Sequence, residues 1–116
     1  MNDLSPKLID MEVLERVAPV IRVAAHPLRL RILDYLAVSN EPKIVSDITE
    51  CCGAAPSFVS QQLRILKDQG ILRCQRRGTN VYYTIADRSL LHLLACIRHS
   101  QGGEQAVGAT IHRGEE

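Results

Sequence analysis

The chain has 116 residues, a length that suits one domain with a single core. Its hydrophobic content of 46 % is that of a globular protein, and no apolar run approaches the roughly 18 residues that a membrane span requires. The N-terminus has no basic region followed by an apolar segment. We therefore predict a cytoplasmic protein that does not contact a membrane and whose four cysteines are free thiols or ligands rather than disulfides.

The net charge of +1 excludes no class of partner, but the charges are unevenly distributed. Residues 1–50 contain six basic and eight acidic residues, residues 51–99 contain seven and two, and residues 100–116 contain one and three. A positive segment within a nearly neutral chain is typical of a surface that contacts phosphates. The alternative is a solvated surface with a local excess of charge.

The first third of the chain predicts two helices. Apolar residues recur at spacings of three and four between residues 7 and 25, as in an amphipathic helix. Pro19 predicts a kink there, or two shorter helices. Pro27 marks the boundary to a second helix that runs to Val38. The apolar positions of the first helix are Met11, Leu14, Ala18, Ile21 and Ala25.

A helix-turn-helix unit follows. Residues 44–52 predict a short helix, and Gly53 suits the left-handed position that ends it. Pro56 begins the next helix, which ends near Gln69 because Gly70 follows. Two helices joined by a tight turn that contains glycine match a helix-turn-helix.

The periodicity then changes from 3.6 to 2. The segments ILRCQRR and NVYYTIA predict two strands around the turn RGTN, and Asp87 caps a final helix over residues 88–100. We predict a mainly α fold with a small β-hairpin wing. Residues 1–9 form an N-terminal extension, residues 10–100 the winged helix-turn-helix domain, and residues 101–116 a flexible tail.

The second helix of the helix-turn-helix has two unlike faces. At about 100° per residue, Val59, Leu63 and Leu66 form one inward stripe. Hydroxyl, amide and guanidinium groups face the other way, near the helix N-terminus, where such groups reach base edges and phosphates in a major groove. The hairpin tip adds two arginines. Double-stranded DNA is therefore the predicted partner.

The element order, together with AHPLRLRIL, PSFVSQQLRILKDQGIL and GTNVYYTI, resembles the ArsR/SmtB family of bacterial repressors over residues 12–100. The resemblance implies a winged-helix homodimer that pairs through its terminal helices and binds a palindromic operator until an inducer releases it. Ala55 departs from the family pattern, which has a hydroxyl N-cap. The candidate DNA-contacting residues are Ser57, Phe58, Ser60, Gln61, Gln62, Arg64, Arg76, Arg77, Thr79 and Asn80.

Phe58 also departs from that pattern, because it replaces a small residue. An aromatic ring there could contact a thymine methyl group or could simply pack against the protein. The family's usual metal sites are absent. Residues 42–48 lack both cysteines of one site, and of the other only Asp87 is retained, which capping explains. No cofactor is therefore certain, although a transition-metal ion is a candidate.

His92, Cys96 and His99 lie at i, i+4 and i+7 on one face of the final helix. The antiparallel pairing of these helices that the resemblance implies would bring His92 near His99 of a second chain, and Cys96 near its own copy. Zinc, nickel or copper suits such ligands, and two facing thiols could form a disulfide. The alternative is a solvated polar face.

Cys51 and Cys52 are a second candidate thiol pair. They could form a site for trivalent arsenic or for mercury. Arsenite would need a third thiolate beside them, and Cys74, on a strand, has no obvious route there. On the other interpretation Cys52, on the inward face, is a small core hydrophobe.

The alternatives to a DNA-binding regulator are a protein-interaction module and an enzyme. A winged helix can serve protein–protein contact without an operator of its own. An enzyme is not predicted, because the sequence has no nucleophile–base pattern, phosphate loop or cofactor fingerprint.

Overall fold

A computed structural model describes residues 7–102, so most of the predicted flexible tail and most of the predicted N-terminal extension lie outside the described residues. The described chain divides into two compact units, one ending at Ala86 and one beginning at Asp87. The predicted mainly α fold with a hairpin wing is confirmed. The elements are α1 (Met11–Ala24), α2 (Pro27–Ser39), β1 (Lys43–Ile44), α3 (Val45–Cys52), α4 (Pro56–Asp68), β2 (Leu72–Arg77), β3 (Asn80–Ile85) and α5 (Ser89–Gly102).

The helix α1 is continuous through Pro19, so of the two predicted alternatives, a kink or two short helices, the second was wrong. Proline removes one backbone donor and leaves the carbonyl four residues earlier, that of Glu15, without its intrahelical partner. Both Pro19 and Glu15 are exposed. Water can hydrate that carbonyl, which is why the interruption is tolerated.

The ends of α2, α3 and α4 lie within about one residue of the predicted positions, and the structure adds a cap that the sequence analysis did not assign. The Nδ1 atom of His26 accepts a hydrogen bond of 3.2 Å from the backbone N–H of Leu28 and so caps α2. Gly53 ends α3 with φ +69°, a left-handed conformation that favours glycine. Pro56 is the first residue of α4. The helix-turn-helix formed by α3 and α4 is therefore confirmed.

The wing is a three-stranded antiparallel sheet in the order β1-β3-β2. Its hairpin pairs Leu72 with Ile85 at one end and Arg77 with Asn80 at the other, which leaves a two-residue turn. Gly78 occupies the first turn position with φ +64°, a conformation that hairpin turns of this length require. The strand β1 was not predicted, because two residues are too few to show an alternating pattern.

The core of the first unit joins α2, α3 and α4. Fully buried side chains come from each of these helices and from the segment before β2, and none of them is polar. The stripe predicted for α4, Val59, Leu63 and Leu66, is confirmed in full. The fully buried residues of the core are Ile32, Leu33, Ile48, Val59, Leu63, Leu66 and Ile71.

The apolar stripe predicted for α1 is present, but it does not enter this core. Met11 is 65 % exposed, Leu14 41 % and Ile21 45 %, whereas Ala24 is the buried residue of the helix. The periodicity therefore predicted the helix correctly. In the single chain, however, the apolar face of that helix is directed to solvent. None of the helices in residues 7–102 has the length and apolar character needed to cross a membrane.

One arginine links three helices of the first unit. The Nε atom of Arg29, in α2, donates a 2.8 Å hydrogen bond to Oε1 of Gln62 in α4. Its Nη1 atom donates a second 2.8 Å bond to the backbone carbonyl of Val23 near the end of α1. Hydrogen bonds from a charged donor are stronger than neutral ones, and removing the donor leaves both acceptors without a partner.

We therefore expect Arg29→Ala to lower the free energy of unfolding by about 1–3 kcal/mol, as for other lost hydrogen bonds to partly buried groups. Urea denaturation measures this change. Arg31→Ala is the matched control, because Arg31 lies on the same helix but is exposed. Equal destabilisation by the two variants would contradict a structural role for the Arg29 bridge.

Candidate nucleic-acid interface

The outer face of α4 is a polar surface with one aromatic side chain. Its side chains point away from the buried stripe because α4 turns by about 100° per residue. They surround an open hollow of about 650 Å³. The residues are Ser57, Phe58, Ser60, Gln61 and Arg64, and all five are exposed, as predicted from the sequence.

The N-terminus of α4 lies at the same end of this face. Ala55 is the N-cap residue and makes no side-chain hydrogen bond, and Pro56 has no backbone N–H. The carbonyl of Ala55 accepts the first intrahelical bond, 3.0 Å long, from Val59. The backbone N–H groups of Ser57 and Phe58 therefore precede the hydrogen-bonded ladder, and such groups favour anions.

Gln62 does not belong to this face, although the sequence placed it among the DNA-contacting residues. It is 5 % exposed and accepts the hydrogen bond from Arg29 described above. Three residues after Val59, it lies only about 60° from the centre of the buried stripe. Its amide is therefore a structural group within one chain, and this assignment is corrected.

The wing carries its predicted polar groups at the tip, where Arg76, Arg77, Thr79 and Asn80 are all exposed. The guanidinium carbon of Arg77 lies 5.2 Å from the centroid of the Tyr82 ring. A cation held over an aromatic face loses conformational freedom but keeps its charge. The ring thus orients one of the two arginines along the hairpin.

A cleft of about 590 Å³ separates the wing tip from the start of α3 and of α4. Its polar rim includes Ser46, Thr79 and Asn80, and its floor is largely apolar. Ser46 was not among the predicted site residues, because the pairing of β1 with β3, which brings the start of α3 near the wing, was not predicted. The hydroxyl of Thr49, which also lines the cleft, is buried and has no hydrogen-bond partner among the described residues.

Tyr83, in the middle of β3, lies within electrostatic range of Arg64 on α4. Burial raises the pKa of the Tyr83 hydroxyl, and Cys74 raises it further, whereas the charge of Arg64 partly opposes the shift. Tyr83 therefore stays neutral near pH 7.

The two adjacent thiols differ in their surroundings. Cys51 is exposed and Cys52 is half-buried, in agreement with the predicted orientations. Burial raises the pKa of the Cys52 thiol, as does the neighbouring Cys51, while Arg31 opposes the shift. A raised pKa disfavours the thiolate that binds metals. Within residues 7–102 no three His, Cys, Asp or Glu side chains of one chain are grouped to hold a metal ion.

The second unit contains α5 and the residues before it. Asp87 accepts a 3.0 Å hydrogen bond from the backbone N–H of Ser89, which confirms its predicted role as the cap of α5. The helix continues to Gly102, two residues beyond the predicted end. The side chains of His92, Cys96 and His99 are all exposed on it. A site shared with a second chain stays a prediction.

The fold and this surface define a winged helix-turn-helix DNA-binding protein. Residues 26–73 match the sequence model of the bacterial regulatory proteins of the arsR family. The chain is 31 % identical over 93 residues to the transcriptional repressor SmtB homolog of Synechocystis sp., which covers 80 % of this chain and 69 % of that protein. The chain belongs to the arsR family, so the predicted DNA-binding repressor is confirmed at family level.

Solved structures give the same result. The crystal structure of the AntR antimony-specific transcriptional repressor is 34 % identical, with a TM-score of 0.74 over 89 % of this chain and 93 % of that one. The solution structure of the homodimeric winged helix-turn-helix domain of Mb0332 from Mycobacterium bovis is 30 % identical, with a TM-score of 0.66 over 90 % and 94 %. The family is one of regulatory proteins, which agrees with the prediction that the chain is not an enzyme.

Proposed function

We propose that the protein is a homodimeric repressor that binds a palindromic operator with α4 in the major groove and the wing tip against the adjacent backbone or minor groove. The observation that carries this proposal is the polar outer face of α4, which is held outward by its fully buried inner stripe. The exposed arginines at the wing tip supply phosphate contacts beside it.

The two surfaces have different roles in this proposal. Gln61 and Arg64 present an amide and a guanidinium group, which form paired hydrogen bonds with adenine and guanine edges. Ser57, at the N-terminus of α4, supplies a hydroxyl and a backbone N–H to a phosphate. Arg76 and Arg77 contact phosphates without reading sequence, because a charge on the backbone carries no base information.

We expect Gln61→Ala and Arg64→Ala to weaken binding to the operator by about 1–3 kcal/mol each while leaving binding to unrelated DNA nearly unchanged. Arg76→Ala and Arg77→Ala should weaken binding to every sequence and flatten the dependence on salt, since each removes a phosphate contact. Gel shifts with the DNA upstream of the protein's own coding sequence, at several salt concentrations, measure both effects.

Arg16→Ala is the matched control for these variants, because Arg16 is an exposed arginine on α1. It should bind like the wild type. If all four variants also bind like the wild type, the proposed docking face is wrong. If the wild type shows no dependence on sequence or salt, the winged helix serves protein contact instead, and the proposed function fails.

The dimer proposal follows from apolar side chains that one chain leaves in water. In α1 these are Met11, Leu14 and Ile21, and in α5 they are Leu93, 41 % exposed, and Ile97, 51 % exposed. Burying such side chains against a second copy is favourable by about 25 cal/mol for each Å² removed from water. The similar Mb0332 domain is described as homodimeric.

We expect the wild type to sediment as a dimer at micromolar concentration and Ile21→Glu to sediment as a monomer, because a buried unpaired carboxylate opposes association. Circular dichroism should show that the variant stays folded. Val38→Glu is the control, because Val38 is 62 % exposed but lies on α2. A monomeric wild type, or equal dissociation by both variants, would contradict pairing through the terminal helices.

The proposed inducer site lies on α5 and combines both copies. Imidazole and thiolate groups from His92, Cys96 and the second chain's copy of His99 suit a transition-metal ion, and paired Cys96 thiols suit oxidation to a disulfide. Their exposure in the single chain leaves them accessible to such a partner. Cys51 and Cys52 are the second candidate, weaker because the Cys52 thiolate is disfavoured.

Cobalt(II) tests this site directly, since its absorption reports a bond to thiolate. We expect a cobalt–thiolate band in the dimer that Cys96→Ser abolishes and that the control Cys51→Ser retains. Mild oxidation should likewise give a disulfide-linked dimer that depends on Cys96 in non-reducing electrophoresis. Should Cys96→Ser keep both metal binding and induction in cells, the inducer site lies elsewhere.

A further inference from the structure

Phe58 is the one phenylalanine of the chain, and it is 42 % exposed in the first turn of α4. Its neighbours on the outer face are the hydroxyl groups of Ser57 and Ser60 and the amide of Gln61. A single exposed apolar side chain is ordinary on a protein surface and needs no explanation by itself. Its location is informative, because the first turns of a recognition helix are the part that reaches base edges.

The packing of α4 does not account for this ring. The buried stripe is complete with Val59, Leu63 and Leu66, none of which has exposed surface. Phe58 lies about 100° from Val59 around the helix, on the flank between that stripe and the polar face. The ring therefore borders the core on one side, and its exposed part belongs to the surface offered to DNA.

We propose that Phe58 reads the 5-methyl group of a thymine in each operator half-site, an inference that rests on the DNA-binding function proposed above. Thymine is distinguished from the other bases in the major groove by that methyl group, which is the apolar feature of the groove edge. A phenyl ring has no hydrogen-bonding group, so it gains most from contact with the methyl group and gains nothing from a bare donor or acceptor.

The spacing to Gln61 locates the thymine. Three residues of helix separate Phe58 from Gln61, a rise of about 4.5 Å along the helix axis. Successive base pairs are about 3.4 Å apart along one strand. The base that Phe58 contacts is therefore one or two base pairs from the base that Gln61 contacts, and amides favour adenine. The half-site combines a thymine with a nearby adenine.

Replacing thymine by 2′-deoxyuridine tests the proposal, because it removes only the methyl group and keeps the base pair. Duplexes that the wild type selects from a random pool are the probes, with each thymine substituted in turn. We expect one thymine per half-site at which uracil weakens binding about threefold to tenfold, as for the loss of one buried methyl group. The same substitution should leave the affinity of Phe58→Ala unchanged.

Ser60→Ala is the matched control, since it alters the same face but keeps the ring, and it should retain the full uracil effect. Phe58→Ala should keep the far-UV circular dichroism of the wild type and melt at a somewhat lower temperature, because the ring is 42 % exposed and the rest of it is covered by the protein. Phe58→Leu, which keeps an apolar side chain, should retain part of the discrimination between thymine and uracil.

Three outcomes would overturn the proposal. In the first, uracil has no effect on wild-type binding at any position. In the second, uracil weakens the binding of Phe58→Ala as much as that of the wild type. In the third, Phe58→Ala binds all duplexes more weakly by one common factor, which indicates that the ring only packs against the protein. In each case sequence-dependent binding persists and the proposed function stands. A wild type that selects no sequence from the pool would instead overturn both proposals.

Discussion

The burial of one face of α4 determines what its other face can do. Val59, Leu63 and Leu66 have no exposed surface, and burying a side chain of this size contributes about 1.5–3 kcal/mol. A rotation of the helix that changed its outward residues would return these side chains to water. The same contacts that stabilise the domain therefore fix which groups face outward, and the hydrogen bond from Arg29 to Gln62 secures the edge of the stripe.

Sequence patterns predicted the elements whose signals lie within a few residues. They failed for residues whose position depends on a partner far away in the sequence. The stripe of α4 and the glycine at the end of α3 depend on neighbours within a few residues, and both were predicted. Gln62 was misassigned because its partner, Arg29, lies 33 positions away and nothing in the helical periodicity reveals it. The alternative of two short helices at Pro19 was wrong because the helix is exposed there, so water can replace the missing hydrogen bond. Periodicity does not show that exposure.

The apolar residues of α1 show a different limit. Periodicity identifies an apolar face but does not state whether its partner is the same chain or another one. In the described chain Leu14 and Ile21 remain partly in water. One copy therefore does not gain the full free energy of burying the apolar face of α1. In the proposed homodimer, association of two copies supplies that free energy and also sets the separation of the two α4 helices that an operator must match.

These constraints indicate where a change of affinity can originate. Within one chain, α4 is fixed by fully buried side chains and by the Arg29 bridge, and moving it would break contacts that have no alternative arrangement. A shift between two copies about their apolar helices exposes little core and still changes the spacing of the two reading surfaces. In the proposed homodimer, an inducer that binds a terminal helix therefore controls operator binding through this spacing, without touching the reading surface.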